Sequence, residues 1–224
     1  MTTPTLGKIW VVGFGQMGQA LVRGWLDQGL CAPADITAID PSGPAVQQAK
    51  AWGVNWAATQ PATDWPHVVL FALKPQTLLG IVPDYHAVAR AGSLCISIAA
   101  GTTISQLRTA LEGGAVVRAM PNTPAQIRQG MTVCCAGPGL LPAQQQLAER
   151  LFMAVGAVAW VEDEEQLNAV TALSGSGPAY LFYLAEAMVE AGVKLGLSHT
   201  LAQQLTQQTL AGAAALAAAR QATQ

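Results

Sequence analysis

The stretch K-I-W-V-V-G-F-G-Q-M-G, residues 8–18, decides how the chain folds. Residues 8–12 read as an apolar strand. Gly13, Gly15 and Gly18 follow at G-x-G-x-x-G spacing, and an amphipathic helical pattern then runs to about Gln28. In such a turn the first glycine permits the tight bend and the second lets the backbone approach a pyrophosphate. The third allows close packing of helix on strand. Backbone N–H groups at the helix start bind phosphate, so Gly13, Phe14, Gly15, Gln16, Met17 and Gly18 are read as a dinucleotide-binding loop. Outside this context the same residues would be a plain glycine-rich turn.

Strand–helix alternation continues outward from this unit. Strands are expected at 36–39, 68–73, 94–98, 116–118, 131–135 and 157–161, and helices at 44–52, 78–90, 104–111 and 142–153. The runs V-V-L-F-A-L and L-C-I-S-I are continuously apolar, as strands covered on both faces should be. The pattern predicts an α/β fold with a parallel, doubly wound sheet. After Val161 only helix and turn signals remain, so domains are expected at 1–161 and 162–224. Glu162, Asp163, Glu164 and Glu165 stand where the positive end of a helix dipole would favour them. Ser174-Gly175-Ser176-Gly177 interrupts the helical pattern, and Pro178 suits the first turn of a helix running to about Lys194, closed by Gly196. Ser198 can cap a final helix whose end is almost all alanine. That composition fits close helix contact on several sides, or an ordinary solvent helix.

Composition narrows the partners. Alanine makes up 41 of 224 residues, charged residues only 11 %, and the formal net charge is −2. Typical soluble domains carry about 25 % charged residues. Such a surface implies burial against another copy of the chain, or drift in an alanine- and glutamine-rich proteome. The Lys and Arg residues form no basic stripe, which argues against nucleic acid and anionic membrane as partners. No apolar run approaches a membrane span of about 20 residues. Residues 1–6 lack a signal-peptide pattern, so a cytoplasmic protein is expected. Cys31, Cys95, Cys134 and Cys135 lack C-x-x-C spacing and read as buried, reduced hydrophobes. His67, His86 and His199 sit in no acid–base constellation. No metal site and no nucleophile elbow is present in the pattern.

Further site candidates cluster at strand ends. Asp40 closes the second strand 22 residues after Gly18, where an acid can bind ribose hydroxyls and favour NAD. Pro41-Ser42-Gly43 offers a hydroxyl and backbone donors for a 2′-phosphate instead, and the four residues also read as a turn. NAD against NADP stays open. Ala72, Leu73, Lys74 and Pro75 leave one strand at its carboxyl end, and Ala99, Ala100 and Gly101 leave another; ligands of open α/β sheets bind at such ends. Lys74 is equally a solvated strand-end lysine. In Met120-Pro121-Asn122-Thr123-Pro124, Asn122 and Thr123 supply polar donors at the same edge, or the segment is a double-proline turn. Asn122, Thr123, Ser174 and Ser176 are the substrate-side candidates for a small-molecule substrate.

Taken together, GFGQMG at 13–18, ALKPQ at 72–76, SIAAGTTISQL at 97–107, RAMPNTPAQIRQGMTV at 118–133 and AVTALSGSGPAY at 169–180 resemble the pyrroline-5-carboxylate reductase family. The resemblance implies a Rossmann domain followed by an all-α dimerisation domain that interlocks with a second protomer, as a homodimer or higher oligomer. It implies hydride transfer from NADPH, or NADH, to a cyclic imine, the last step of proline biosynthesis. By position it places cofactor contacts on Gly13 to Gly18, Asp40, Gln60, Ala72 to Pro75 and Ala99 to Gly101. Protonation of the ring nitrogen activates the imine carbon, so no strong general base is needed and no catalytic side chain is assigned. Family members continue with a Ser-Pro-Gly-Gly-Thr-Thr-type loop beyond the position of Gln224. The expectation is therefore an incomplete substrate half and turnover at least about a hundredfold lower than with the loop. The alternatives are a non-catalytic nucleotide-binding protein, and another imine or hydroxyacid reductase on the same architecture.

Overall fold

The computed structural model describes residues 6–221, so the readings of residues 1–5 and of the chain end at Gln224 lie outside it. One sheet of eight strands organises the first part of the chain: β1 (Ile9–Val12), β2 (Ile36–Ile39), β3 (Asn55–Ala57), β4 (Val68–Phe71), β5 (Leu94–Ser97), β6 (Ala115–Met120), β7 (Gly130–Ala136) and β8 (Gly156–Val161). Their order is β3-β2-β1-β4-β5-β6-β7-β8. Ile9 sits beside Ile36 on one side and Val68 on the other, both in parallel register. The order reverses between β1 and β4, which is where doubly wound sheets open a crevice at their carboxyl ends.

Strand alternation sends β1 into two cores. Ile9 and Val11 enter one, with Leu21, Val22 and Trp25 of α1 (Gln16–Asp27). Trp10 and Val12 enter the other. The first core also takes Ala45 and Ala49 of α2 (Gly43–Ala51). The second is covered by α3 (Pro75–Ile81), α4 (His86–Arg90) and α5 (Ile104–Ala110). On the first face lies α6 (Pro142–Met153), where the indole N–H of Trp25 donates to the carbonyl of Leu151 at 2.8 Å. α5 starts on a capping box: Thr103 Oγ1 accepts from Gln106 N–H at 3.2 Å, and Gln106 Oε1 accepts from Thr103 N–H at 2.9 Å.

Three elements depart from the sequence reading. β7 runs antiparallel to β6, with Met120 opposite Val133, so the sheet is not wholly parallel. Residues 121–129 are too few for a crossover, which needs about a dozen residues, and the chain has to turn back. β8 pairs parallel with β7. The helix expected at 78–90 is broken into α3, a 3-10 turn over Val82–Tyr85 and α4, because Pro83 ends the regular α-helical ladder. β3 is a three-residue strand with no buried residue, too short to leave a hydrophobic signal.

The chain forms two compact units, Met1–Gly175 and Ser176–Gln224. In the first, α7 (Gln166–Val170) buries Leu167 completely and continues into a π-helical turn over Thr171–Gly175. The second holds α8 (Gly177–Lys194), with Pro178 in its first turn, and α9 (His199–Gln221). Gly196, at φ +95°, ends α8. Gly192 lets the two helices approach, since a Cβ there would stand 2.9 Å from that of Ala202. No helix among the described residues is long and apolar enough to cross a membrane. The four cysteines are free and buried.

Candidate functional site

The glycine turn is held by backbone geometry. Gly13 has φ +90°, and a Cβ on it would lie 2.6 Å from the carbonyl oxygen of Ala72. Gly18 would place a Cβ 2.5 Å from the carbonyl of Gly13, so its absence lets α1 sit directly behind β1. Gly15 differs from both. It is exposed, its φ is −75°, and a Cβ there would meet nothing within 4 Å. The protein itself has no steric need for glycine at position 15.

Asp40 anchors the turn to the end of β2. Its Oδ2 accepts from Phe14 N–H at 2.8 Å and its Oδ1 from Ser42 N–H at 2.9 Å. Burial alone would raise its pKa, yet these backbone donors and the Ser42 hydroxyl outweigh it and hold the carboxyl below its ordinary value. Trp56 of β3 donates its indole N–H to the Asp40 carbonyl at 2.8 Å. Phe14 serves the scaffold: its ring is buried edge-on against Trp52, at 5.9 Å between centroids.

A cavity of about 800 Å³ opens at the carboxyl ends of β1, β2 and β4. Gly13, Asp40, Gln60 and Leu73 line it together. Gln60 Oε1 is buried and has no hydrogen-bond partner among the described residues. The far wall was not legible as a site: it brings Pro83, Asp84, Tyr85 and His86 from the broken α3–α4 segment, and Glu112 from beyond α5. The proline that breaks that helix is the one signal the sequence holds for it. Tyr85 packs edge-on against Phe71, with centroids 5.2 Å apart.

The remaining candidates lie elsewhere along the carboxyl edge. Gln16 and Met17 open α1. Ala72 joins the sheet through its N–H to Val12 O at 2.8 Å, and Lys74 and Pro75 are exposed at the start of α3. Ala99 is buried, and its N–H donates to Ser97 Oγ at 3.3 Å. Ala100 and Gly101 are exposed, and a Cβ on Gly101 would meet nothing within 4 Å. Thr123 is exposed where the 3-10 turn Thr123–Ile127 begins.

Asn122 has both polar side-chain atoms hydrogen-bonded within the scaffold. Its Oδ1 accepts from Met131 N–H at 2.8 Å and its Nδ2 donates to Ser174 O at 3.0 Å, tying the β6–β7 connection to the π-helical turn. The Ser174 hydroxyl donates to Val170 O at 3.2 Å. Ser176 opens the second unit and accepts Ala179 N–H on its carbonyl. Glu164 also departs from expectation. It accepts Ile104 N–H at the start of α5 and the guanidinium of buried Arg118, each at 2.8 Å on Oε1, so it serves α5 and β6 rather than the helix that follows it.

Residues 164–224 match the family described as pyrroline-5-carboxylate reductase dimerisation, and residues 8–101 match that described as NADP oxidoreductase coenzyme F420-dependent. The pyrroline-5-carboxylate reductase of Pasteurella multocida is 39 % identical over 191 residues, 82 % of this chain and 69 % of that protein. The chain belongs to the pyrroline-5-carboxylate reductase family. The Pseudomonas aeruginosa reductase is 40 % identical over 198 residues, 86 % of this chain and 70 % of that one. The solved reductase of Coxiella burnetii superposes with a TM-score of 0.86 at 35 % identity, covering 95 % of this chain and 80 % of that chain. The Plasmodium falciparum pyrroline carboxylate reductase, solved with NADP bound, gives 0.83 at 26 % identity, with 93 % and 78 % covered. Two of the stretches that carry the family resemblance, 118–133 and 169–180, contain the residues that Asn122 ties together.

Proposed function

We propose that this chain reduces 1-pyrroline-5-carboxylate to L-proline by hydride transfer from NADH or NADPH, and that it works as a homodimer in the cytoplasm. The observation that carries the reading is the cavity at the sheet's switch point, joined to a glycine turn whose middle glycine faces open space. Family membership supplies the substrate class.

The residues present fit a dinucleotide. The start of α1 presents backbone N–H groups without helical acceptors, and bare Gly15 leaves the approach to them clear. Asp40 and Gln60 stand at the adenosine end; the unpartnered oxygen of Gln60 suits a donor. The small residues Ala72, Ala99, Ala100 and Gly101, with Leu73, Lys74 and Pro75, would flank the nicotinamide half. A reduced nicotinamide supplies the hydride. The chain's own work is to orient the imine carbon, shield it from water and leave the ring nitrogen protonated. Thr123 offers an exposed hydroxyl on the substrate side, and Ser176 opens α8. Asn122 and Ser174 act by holding that edge in shape.

Assembly rests on the second unit. α8 buries none of its residues, and Tyr180, Phe182 and Tyr183 are 59 %, 62 % and 76 % exposed. Soluble monomers rarely leave such a face open, and a second copy of the same helices covers it. Functionally we place the division near Val161, with 162–224 as the dimerisation and substrate part. A substrate panel tests the reading: pyrroline-5-carboxylate, a cyclic imine without the carboxylate, and a 2-oxo acid, with cofactor oxidation and product followed together. Proline from the first alone is expected. Reduction of the 2-oxo acid in preference to the imine would overturn it.

A further inference from the structure

The cavity's charge is one-sided. Among the described residues lining it, Asp40, Asp84 and Glu112 are carboxylates, and none is Lys or Arg. Lys74, the charge nearest in sequence to its wall at Leu73, is exposed at the start of α3 and is not part of the lining. His86 is the one lining histidine, and its Nδ1 lies 2.9 Å from Pro83 O.

Asp40 is a fixed charge. Each of its oxygens accepts a backbone N–H, at 2.8 Å from Phe14 and 2.9 Å from Ser42, so the carboxylate cannot swing out of the cavity without breaking both. The same bonds thin out the donors a phosphate would need, leaving Gly43 and Ala45 with N–H groups that have no helical acceptor at the start of α2. Ser42 N–H, the backbone group just past β2, is spent on Asp40. Pro44 has no N–H to offer in the first turn of α2. A ribose hydroxyl can still donate to the free lone pairs of Asp40, since a carboxylate accepts about four hydrogen bonds.

We infer that this site selects the unphosphorylated dinucleotide, NADH over NADPH, by placing the pinned Asp40 carboxylate where a 2′-phosphate would stand and providing no cation to offset it. The inference rests on reading the cavity as the cofactor site. A ribose 2′-phosphate brings additional negative charge against Asp40, and like-charge juxtaposition of this kind discriminates by at least about tenfold. The preference runs opposite to that implied by the family description matched over residues 8–101.

Direct titration tests it without turnover. NADH and NADPH are titrated into the full chain by quenching of tryptophan fluorescence, and AMP and adenosine 2′,5′-bisphosphate by displacement of bound NADH. NADH is expected to bind at least about tenfold tighter than NADPH, and AMP to compete better than the bisphosphate. Because the cause is charge, the NADH:NADPH ratio should shrink as salt rises from low to high ionic strength. In Asp40→Asn, which keeps one acceptor oxygen and loses the charge, the ratio should fall at least about fivefold. If that variant unfolds, the salt series on the native chain decides alone. Equal or tighter NADPH binding, or a ratio indifferent to salt, would overturn the selectivity while leaving the site intact. Failure of all four ligands to bind would overturn the cofactor site itself.

Discussion

Replacing Gly15 by valine separates what the fold needs from what a ligand needs. Gly13 and Gly18 are required by the protein: side chains there would press on Ala72 O and Gly13 O at 2.6 and 2.5 Å. Gly15 has an ordinary φ and no neighbour within 4 Å of a Cβ. It is the N-cap of α1, where valine is a poorer choice than glycine by about 1 kcal/mol. For a domain of this size that lowers Tm by about 2–4 °C. In the ligand-bound state the added side chain stands over the helix start and blocks the backbone donors there. Losing two hydrogen bonds to a charged phosphate costs about 3–6 kcal/mol. That weakens Kd by on the order of a hundred- to ten-thousandfold. The assay is a thermal melt paired with NADH and NADPH titration of native chain, Gly15→Val and Gly18→Val. Gly15→Val should melt near the native chain and bind neither cofactor well, whereas Gly18→Val should melt far lower. Native-like affinity in Gly15→Val would mean that no phosphate approaches the backbone there, and a melt as low as that of Gly18→Val would mean that the fold itself needs the glycine.

Other perturbations address the scaffold around the site. Glu164→Gln leaves the Arg118 guanidinium, only 4 % exposed, without its counter-charge, and should cost about 3 kcal/mol in denaturant unfolding; a loss under about 1 kcal/mol would mean the pair is screened. Asn122→Ala breaks both bonds that tie the β6–β7 connection to the π-helical turn, and about 2–4 kcal/mol of stability should go with them. An unchanged denaturation midpoint would count against that clasp. Burial pushes the Cys31 thiol up to about 11 and the Cys95 thiol up to about 12, and raises Cys134 as well. The native chain should therefore show no fast-reacting thiol at pH 8, and all four should react in denaturant. The unfolded chain loses these protons first, from about 9.0 upward, so their contribution is intact below that pH and declines as pH rises toward 12. Prompt labelling of the native chain, or stability flat across that alkaline range, would contradict this.

The first core was readable because its signals agree at every level. Residues 8–18 combine a buried strand, a glycine turn and an amphipathic helix, and each supports the next. Direction of a strand is different. A strand buried on both faces reads alike either way, so the antiparallel return of β7 shows only in the short connection 121–129. At the site, Asp40 is legible by position, yet its two backbone donors come from Phe14 and Ser42, and this pairing exists only after β2 lies beside β1. Glu164 misleads for the same reason: its acidic neighbours point to a local helix dipole, while its partners are sixty and forty-six residues away, at Ile104 and Arg118. Asn122 reads as a polar donor for substrate, and its two scaffold bonds, to Met131 N–H and Ser174 O, appear only once the π-helical turn is folded against it. The far wall of the cavity, from Pro83 to His86, carries no ligand motif and is assembled by tertiary packing alone.

Coupling of cofactor oxidation to imine reduction at the cavity beside Gly13 and Asp40 is the property proposed for this chain. Its most direct test is product stoichiometry: purified chain, excess pyrroline-5-carboxylate and a measured amount of NADH or NADPH, with proline quantified at completion. One proline per reduced cofactor consumed is expected, with Gly15→Val forming proline at least about a hundredfold more slowly at subsaturating cofactor. Cofactor bound by the native chain without any proline formed would rule out imine reduction, and proline formed equally fast by Gly15→Val would rule out the glycine turn as the cofactor's seat.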